Sequence, residues 1–520
     1  MKYFWTNRLC ATGVLKYIGL NLVMSKAGPL GFCLAVAIIL PGAAPEALGF
    51  IIDTSATPWQ NTASGTRTAN GQPATLTWGF VPDGTDVNDG ISSLGGSDLI
   101  TNLNTAFLGD PLETDHMLQP WFGFFNEAFA RWTAVSGLTY VYESNDTGLN
   151  FASDAGVLGV RADVRIGGAS VDGLSNTLAF NFFPNNSDMV LDTDDISFFA
   201  DATGEHVNLG NTLTHEAGHG LGFRHVVSDT DVLLMEPNIN TTIDGPQLDD
   251  IRGAHFYYGD ALEKTNGGLG NNSAALAHSL GTILDTQTVS IGIDADIADQ
   301  FISPDDTDFV SVSNTGDTDF YAFTVTEEST VDLQLKPLGG QFTQSNEFGT
   351  PTLFDASARA DLSLTLWDTD GLTPLITVDA VPEGGIESIL DFALPVGGEY
   401  FASITTTTDT VQLYRLDVSV ESAVEPLPGD LDGDGFVGID DLNIILANWN
   451  QNVPPADPLA DPSADNFIGI DDLNIVLANF NTGTPPALDD ISQVPEPGIL
   501  ATTFFSVFLL LRRKTLDNPA

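Results

Sequence analysis

The chain is poor in cysteine and in positive charge. Its 520 residues include two cysteines, Cys10 and Cys33, both near the amino end. A mature chain starting beyond them forms no disulfide, so its stability comes from packed cores and bound metals. Lysine and arginine number 17 against 70 aspartates and glutamates, a net charge of -53. Such a field repels phosphate and excludes nucleic acid as a partner. Disorder is excluded too, because 42% of the residues are hydrophobic, ample for packed cores. Acidity of this kind in a folded chain points to an exported protein in a salty or calcium-containing medium, where counter-ions screen self-repulsion and carboxylates meet divalent cations.

Long apolar runs are scarce as well, and two stand out. Pro29 to Leu40 follows Lys26 and precedes small residues, with Ala47-Leu48-Gly49 as a cleavage triplet. This is the pattern of a secretory signal over residues 1–49, with Met24 expected to be the true start. The second run, Ile499 to Leu511, is followed by Arg512, Arg513 and Lys514. As a helix it reaches about 20 Å, short of a bilayer core of about 30 Å, and the basic cluster stays cytoplasmic. Transient attachment is therefore favoured over a permanent anchor.

What the chain does have is concentrated in the run HEAGHGLGFRH. On a helix, His215 and His219 lie one turn apart on one face, so both imidazoles converge on one ion. Gly222 falls where the helix ends, and its tolerance of positive φ turns the backbone sharply enough to deliver His225 as a third nitrogen. Three protein ligands leave a fourth position for water, the mark of a catalytic zinc. Glu216, beside a ligand without being one, is placed to take the proton of that water.

The surrounding residues resemble the matrixin branch of the metzincins over roughly residues 70 to 260. LLMEP, with Met235 and Pro237, is similar to the methionine turn, and QLDDIRGAHFYYG to the closing helix. LTWGFVPDG is similar to the first strand, and FNEAFARWTAVSGLTYVY to the first helix and second strand. The resemblance implies an α+β catalytic domain over 50–262, a twisted sheet with an active-site helix, that hydrolyses peptide bonds of extracellular proteins without a covalent intermediate. It makes His215, His219 and His225 the ligands of a single zinc, Glu216 the general base, Met235 the apolar floor, and the stretch from Pro237 to Ile239 a wall of the substrate pocket. A PRCGxPD prosegment is missing, which excludes a cysteine switch. Asp192, Asp194 and Asp195 resemble a calcium-binding stretch, with a solvated acidic turn as the alternative.

From residue 263 to 422 apolar and polar residues alternate, as at Tyr321, Phe323, Val325 and at Leu416, Val418, Val420, the period of half-buried strands. An all-β antiparallel sandwich follows, and LAHSLGTI with NTGDTDFYAFTV resembles the bacterial pre-peptidase C-terminal domain. After a linker at 423–429, a repeat fills 430–482: DLDGDGFVGIDDLNIILANWN recurs as DPSADNFIGIDDLNIVLANFN. Each copy opens with calcium-loop spacing. The first offers Asp430, Asp432, Asp434, the Phe436 carbonyl and Asp441, with Gly435 at the turn; the second offers Asp461, Ser463, Asp465, the Phe467 carbonyl and Asp472, with Asn466 at the turn. The following helices are expected to bury Leu442, Ile445, Leu446 and Leu473, Val476, Leu477 on one face each. So small an α module needs its two calcium ions to be stable.

This pair resembles type I dockerin, which implies a cohesin-like partner, although Ile439-Asp440 and Ile470-Asp471 stand where small hydroxyl residues are usual. After a second linker at 483–493, VPEPG and the apolar run resemble a PEP-CTERM sorting signal over 494–520, implying an exosortase-type processing enzyme. The expectation is a multidomain, exported zinc endopeptidase at or beyond the cell surface. Its rival is a calcium-dependent adhesion protein with an inactive zinc domain.

Overall fold

The computed structural model describes residues 49–52, 57–88, 90–151, 156–229, 232–296, 301–422 and 427–484. The expected signal, Gly49 apart, and the expected sorting segment lie outside the described residues. The chain forms two compact units, Met1–Ser422 and Ala423–Ala520.

In the first unit a five-stranded sheet runs in the order Leu138–Tyr142, Ala74–Phe80, Val164–Ala169, Met189–Asp192, Ala179–Asn181. The first four strands are parallel and the last is antiparallel. The helices are α1 (Leu99–Ala106), α2 (Phe122–Ala134), the short α3 (Ile196–Phe199), α4 (Val207–Leu221) and α5 (Leu248–Tyr258). In α2 the apolar residues Phe122, Phe125, Phe129 and Trp132 recur at helical spacing and form its buried face. They meet Trp78 of the sheet, stacked on Phe122 at 5.5 Å and on Phe129 at 4.8 Å. Helix α2 also packs on α4, where Trp132 Nε1 donates to the Thr214 carbonyl at 3.0 Å. Truncating a fully buried aromatic of this kind costs about 3–5 kcal/mol. α4 is thereby fixed against the sheet on one side while its other face carries the histidines.

Residues beyond 263 form two facing sheets. One is ordered His278–Thr282, Asp319–Val325, Gly398–Thr406, Leu362–Trp367, Pro374–Val378; the other Gln287–Ile291, Gln412–Ser422, Ser329–Leu338, Glu387–Leu394, with Val310–Val312 also on the Gln412–Ser422 strand. Val331, Leu333, Leu335, Leu362, Leu364, Leu366, Leu416, Val418 and Val420 fill the space between them, as their alternation requires. One pairing departs from the antiparallel expectation: His278–Thr282 lies parallel to Asp319–Val325. The chain crosses to the opposite sheet and returns between these two strands, which supplies the long connection that parallel pairing needs.

These sheets do not stand apart from the zinc-motif region. The hairpin formed by Gln341–Asn346 and Thr352–Asp355 pairs with the strand Val226–Ser228, just past His225. Phe342, Phe354 and Ala356 belong to the same buried cluster as Trp132 and Met235. Arg131 on α2 donates to the carbonyls of Ser303, Pro304 and Asp306 at 2.8–2.9 Å.

In the second unit α6 (Ile439–Ala447) and α7 (Ile470–Ala478) pack together over a small core that includes Leu431, Val437, Ile445, Ile468 and Val476. Leu446 and Leu477 are not in that core: they are 58% and 50% exposed, against the expectation of a shared buried face. A nine-residue helix with a single partner helix buries a narrow stripe, and position 446, about 100° around from Ile445, falls outside it. Among the described residues no helix is long and apolar enough to cross a membrane.

Candidate metal centre

Helix α4 holds His215 and His219, and the helix ends at Gly222, whose φ of 111° lies in the left-handed region. A Cβ there would also come within 3.1 Å of the Tyr257 ring. The turn is closed by Gly222 N–H to the His219 carbonyl at 3.0 Å and Phe223 N–H to the Gly218 carbonyl at 3.1 Å. The chain then reverses, and His225 returns toward α4. One ring nitrogen from each of His215, His219 and His225 lies within 4.8 Å of the others. Ring centroids are 4.8 Å apart for His215 and His219, 5.3 Å for His215 and His225, and 4.9 Å for His219 and His225.

Two of the three imidazoles are held from behind by a hydrogen bond at Nδ1. His215 Nδ1 faces the Leu234 carbonyl and His219 Nδ1 the Phe223 carbonyl, both at 2.7 Å. A carbonyl only accepts, so the proton sits on Nδ1 and Nε2 presents a bare lone pair. His225 Nδ1 faces the Glu347 carboxylate at 3.6 Å, an ion-pair approach longer than a hydrogen bond. His219 Nε2 and His225 Nε2 lie 3.2 Å apart. That distance is close to the separation of about 3.3 Å between two nitrogens bound tetrahedrally at about 2.0–2.1 Å. The donor set fits zinc. Burial first, then neighbouring imidazoles, lower the pKa of His215 to about 4 and hold that of His219 well below its ordinary value, so both rings stay neutral.

Glu216 is buried, and its Oε2 has no hydrogen-bond partner. Burial alone pushes its carboxyl up to about 8. A buried carboxyl oxygen left without a partner, on the residue next to His215, suits a group that handles the proton of a bound water.

Met235 is buried beneath α4, with its sulfur so near Gly218 that a side chain at 218 would strike it. The Met235 carbonyl accepts from Val226 N–H at 3.0 Å, tying the turn to the strand that follows His225. Pro237, half-buried, lies in the bend after it. The brace of this turn is a residue that motif reading passed over: Asp250 on α5 accepts from Leu234 N–H at 2.8 Å, Met235 N–H at 3.2 Å and Gln247 N–H at 2.9 Å. Asp250 thus fixes the Leu234 carbonyl that orients His215. The Gln247–Asp250 capping box at the start of α5 was the available signal.

Asp192 and Asp195 are not part of a solvated turn, whereas Asp194 is exposed. Asp192 and Asp195 are buried, and their oxygens accept backbone N–H groups from the 171–175 loop, while Asp194 accepts from Ser170 Oγ at 2.7 Å. They fasten that loop to the sheet edge.

The repeat loops gather carboxylates. Asp430, Asp432 and Asp441 approach within 4.8 Å, as do Asp461, Asp465 and Asp472. The sixth position is left-handed in both, Gly435 at φ 80° and Asn466 at φ 68°. Asp434 lies outside the first cluster and accepts from Phe436 N–H at 2.9 Å, while Ser463 Oγ donates to Asp461 at 3.3 Å in the second loop. Phe467 likewise donates its N–H to Asp465, at 2.8 Å. A further cluster, which sequence spacing did not reveal, joins Glu263, Asp317 and Asp319, all buried. Glu263 Oε1 and Asp319 Oδ1 have no hydrogen-bond partner there.

Residues 117–259 match the family model of Matrixin. A stretch of 144 residues is 30% identical to Metalloendoproteinase 2-MMP of Arabidopsis thaliana, covering 26% of this chain and 36% of the plant protein. The chain therefore spans about a third of that relative's length. Among solved structures, the pre-peptidase C-terminal domain of a collagenase from Bacillus anthracis aligns at 14% identity and TM-score 0.15, over 28% of this chain and 94% of that one. PliG, a periplasmic lysozyme inhibitor from Aeromonas hydrophila, aligns at 9% identity and TM-score 0.15, over 28% and 99%. At that score neither bears on function.

Proposed function

We propose that the chain, which carries a matrixin match around its histidine cluster, is an exported zinc endopeptidase that cuts extracellular proteins. The observation that carries this reading is the convergence of ring nitrogens of His215, His219 and His225 within 4.8 Å, with Nε2 of His219 and of His225 3.2 Å apart. His215, His219 and His225 hold the metal, with Nδ1 of His215 and His219 fixed from behind. Zinc, when bound, supplies Lewis acidity and a water acidic enough to react near neutral pH. Glu216 takes the proton of the attacking water and returns it to the leaving amine. Met235 packs under the ligand-bearing helix, and Pro237 to Ile239 border the substrate side chain beyond the cut.

Calcium is assigned to the two repeat loops, on the strength of their paired carboxylate clusters and left-handed sixth positions. Export, a cohesin-like partner and exosortase-type processing rest on the sequence patterns of the repeats and the two ends. An inactive zinc domain in an adhesion protein would have no use for Glu216. Casein digestion by the full chain tests the proposal: cleavage stops with a zinc chelator and returns with added zinc but not with calcium. Cleavage that survives zinc removal would contradict it.

A further inference from the structure

We propose that Glu347 is a positioning residue of the zinc centre, delivered by the hairpin Gln341–Asp355, and that His225 becomes a full ligand only with this hairpin docked. The inference rests on the zinc reading above. It begins with an asymmetry. His215 and His219 are oriented by carbonyls of their own region, Leu234 and Phe223, at 2.7 Å, but the group facing His225 Nδ1, at 3.6 Å, is a carboxylate more than a hundred residues away in sequence.

The placement follows from strand register. Val226 pairs with Asn346, Val227 with Ser345 and Ser228 with Gln344, antiparallel. One step further along each strand, residue 225 falls opposite 347. The turn is fixed at this point by Asn346, whose side chain accepts Phe348 N–H at 3.1 Å and whose carbonyl accepts Gly349 N–H at 2.9 Å. The hairpin itself is anchored rather than merely adjacent. Phe342 and Phe354 are buried in the main core, the Arg252 guanidinium lies 5.0 Å over the Phe354 ring, and Thr343 and Asp229 bond reciprocally at 2.9 and 3.0 Å.

Glu347 faces Nδ1, the ring edge opposite Nε2, so it is placed behind the ligand and not in the metal's open position. A carboxylate there fixes the ring tautomer and orientation and raises the basicity of the ligating nitrogen. Its side chain is about one-third exposed, so the effect belongs to zinc affinity and not to fold stability.

The test is zinc affinity of the full chain, by competition with a chelator, in Glu347→Ala, Glu347→Gln and His225→Ala. Glu347→Ala weakens zinc binding about 10- to 100-fold. Glu347→Gln recovers part of the loss, since its amide oxygen still accepts the Nδ1 proton without the charge. The urea midpoint of the zinc-free protein is unchanged in both. Wild-type affinity in Glu347→Ala overturns the inference while weak binding in His225→Ala leaves the zinc reading intact; wild-type affinity in both overturns the two together. A loss in Glu347→Ala that Gln does not relieve and that tracks a lowered zinc-free midpoint makes Glu347 structural, and also overturns the inference.

Discussion

Replacing Asp250 by alanine tests whether the methionine turn is braced from α5. The carboxylate accepts three backbone N–H groups, from Leu234, Met235 and Gln247, all of them buried residues. Each buried N–H left unpaired costs about 1–3 kcal/mol. Water entering the vacated space relieves part of that, so a total of about 3–6 kcal/mol is expected for Asp250→Ala. Asp250→Asn keeps one acceptor oxygen, and a loss of about 1–3 kcal/mol follows. The Leu234 carbonyl is also released from its fixed place, and with it His215 Nδ1, which it holds at 2.7 Å. Loosening a partner behind a metal ligand lowers affinity about 10- to 100-fold. Urea unfolding followed by tryptophan emission is suited to the measurement, because Trp59, Trp78, Trp121 and Trp132 all sit in this core. An Asp250→Ala protein within about 1 kcal/mol of the parent would refute the bracing argument. Lost stability with unchanged zinc affinity would break the proposed link to His215.

Three other outcomes are expected. Gly222→Ala forces a side chain into φ 111° and against the Tyr257 ring, costing about 1–3 kcal/mol and displacing His225; zinc competition and a melting curve check both. At the cluster of Glu263, Asp317 and Asp319, burial holds the carboxyls above their usual range, with repulsion from neighbouring carboxylates adding for Glu263 and Asp319, and Glu263 rises to about 8. Their folded pKa values exceed the unfolded ones, so the native state binds more protons; the stability of metal-free protein falls as pH rises from about 4 toward 8, and a flat profile of urea midpoints there would contradict this. Calcium raises the melting temperature of the 423–520 unit through the Asp430 and Asp461 loops, and Asp441→Ala with Asp472→Ala removes that rise in circular dichroism.

Much of the site was legible because its signals are local. His215, Glu216, His219, Gly222 and His225 lie within eleven residues, and one helix followed by a glycine turn is enough to place them. Helix α2 and the sandwich strands were legible for the same reason, as periodicities of 3.6 and 2. The docking of Gln341–Asp355 was not, because its partner Val226–Ser228 lies over a hundred residues away and pairing depends on which sheet edge is open. Glu347 and the Glu263–Asp317–Asp319 cluster share that cause. Leu446 and Leu477 show the opposite limit: helical spacing offers an apolar face, but the width of the partner decides how much of it is buried.

The central claim is tested most directly by Glu216→Gln in the full chain, measuring bound zinc and casein turnover on one preparation. The account predicts one zinc retained per chain and turnover reduced about 100-fold or more. Turnover equal to the parent at full zinc occupancy would contradict it.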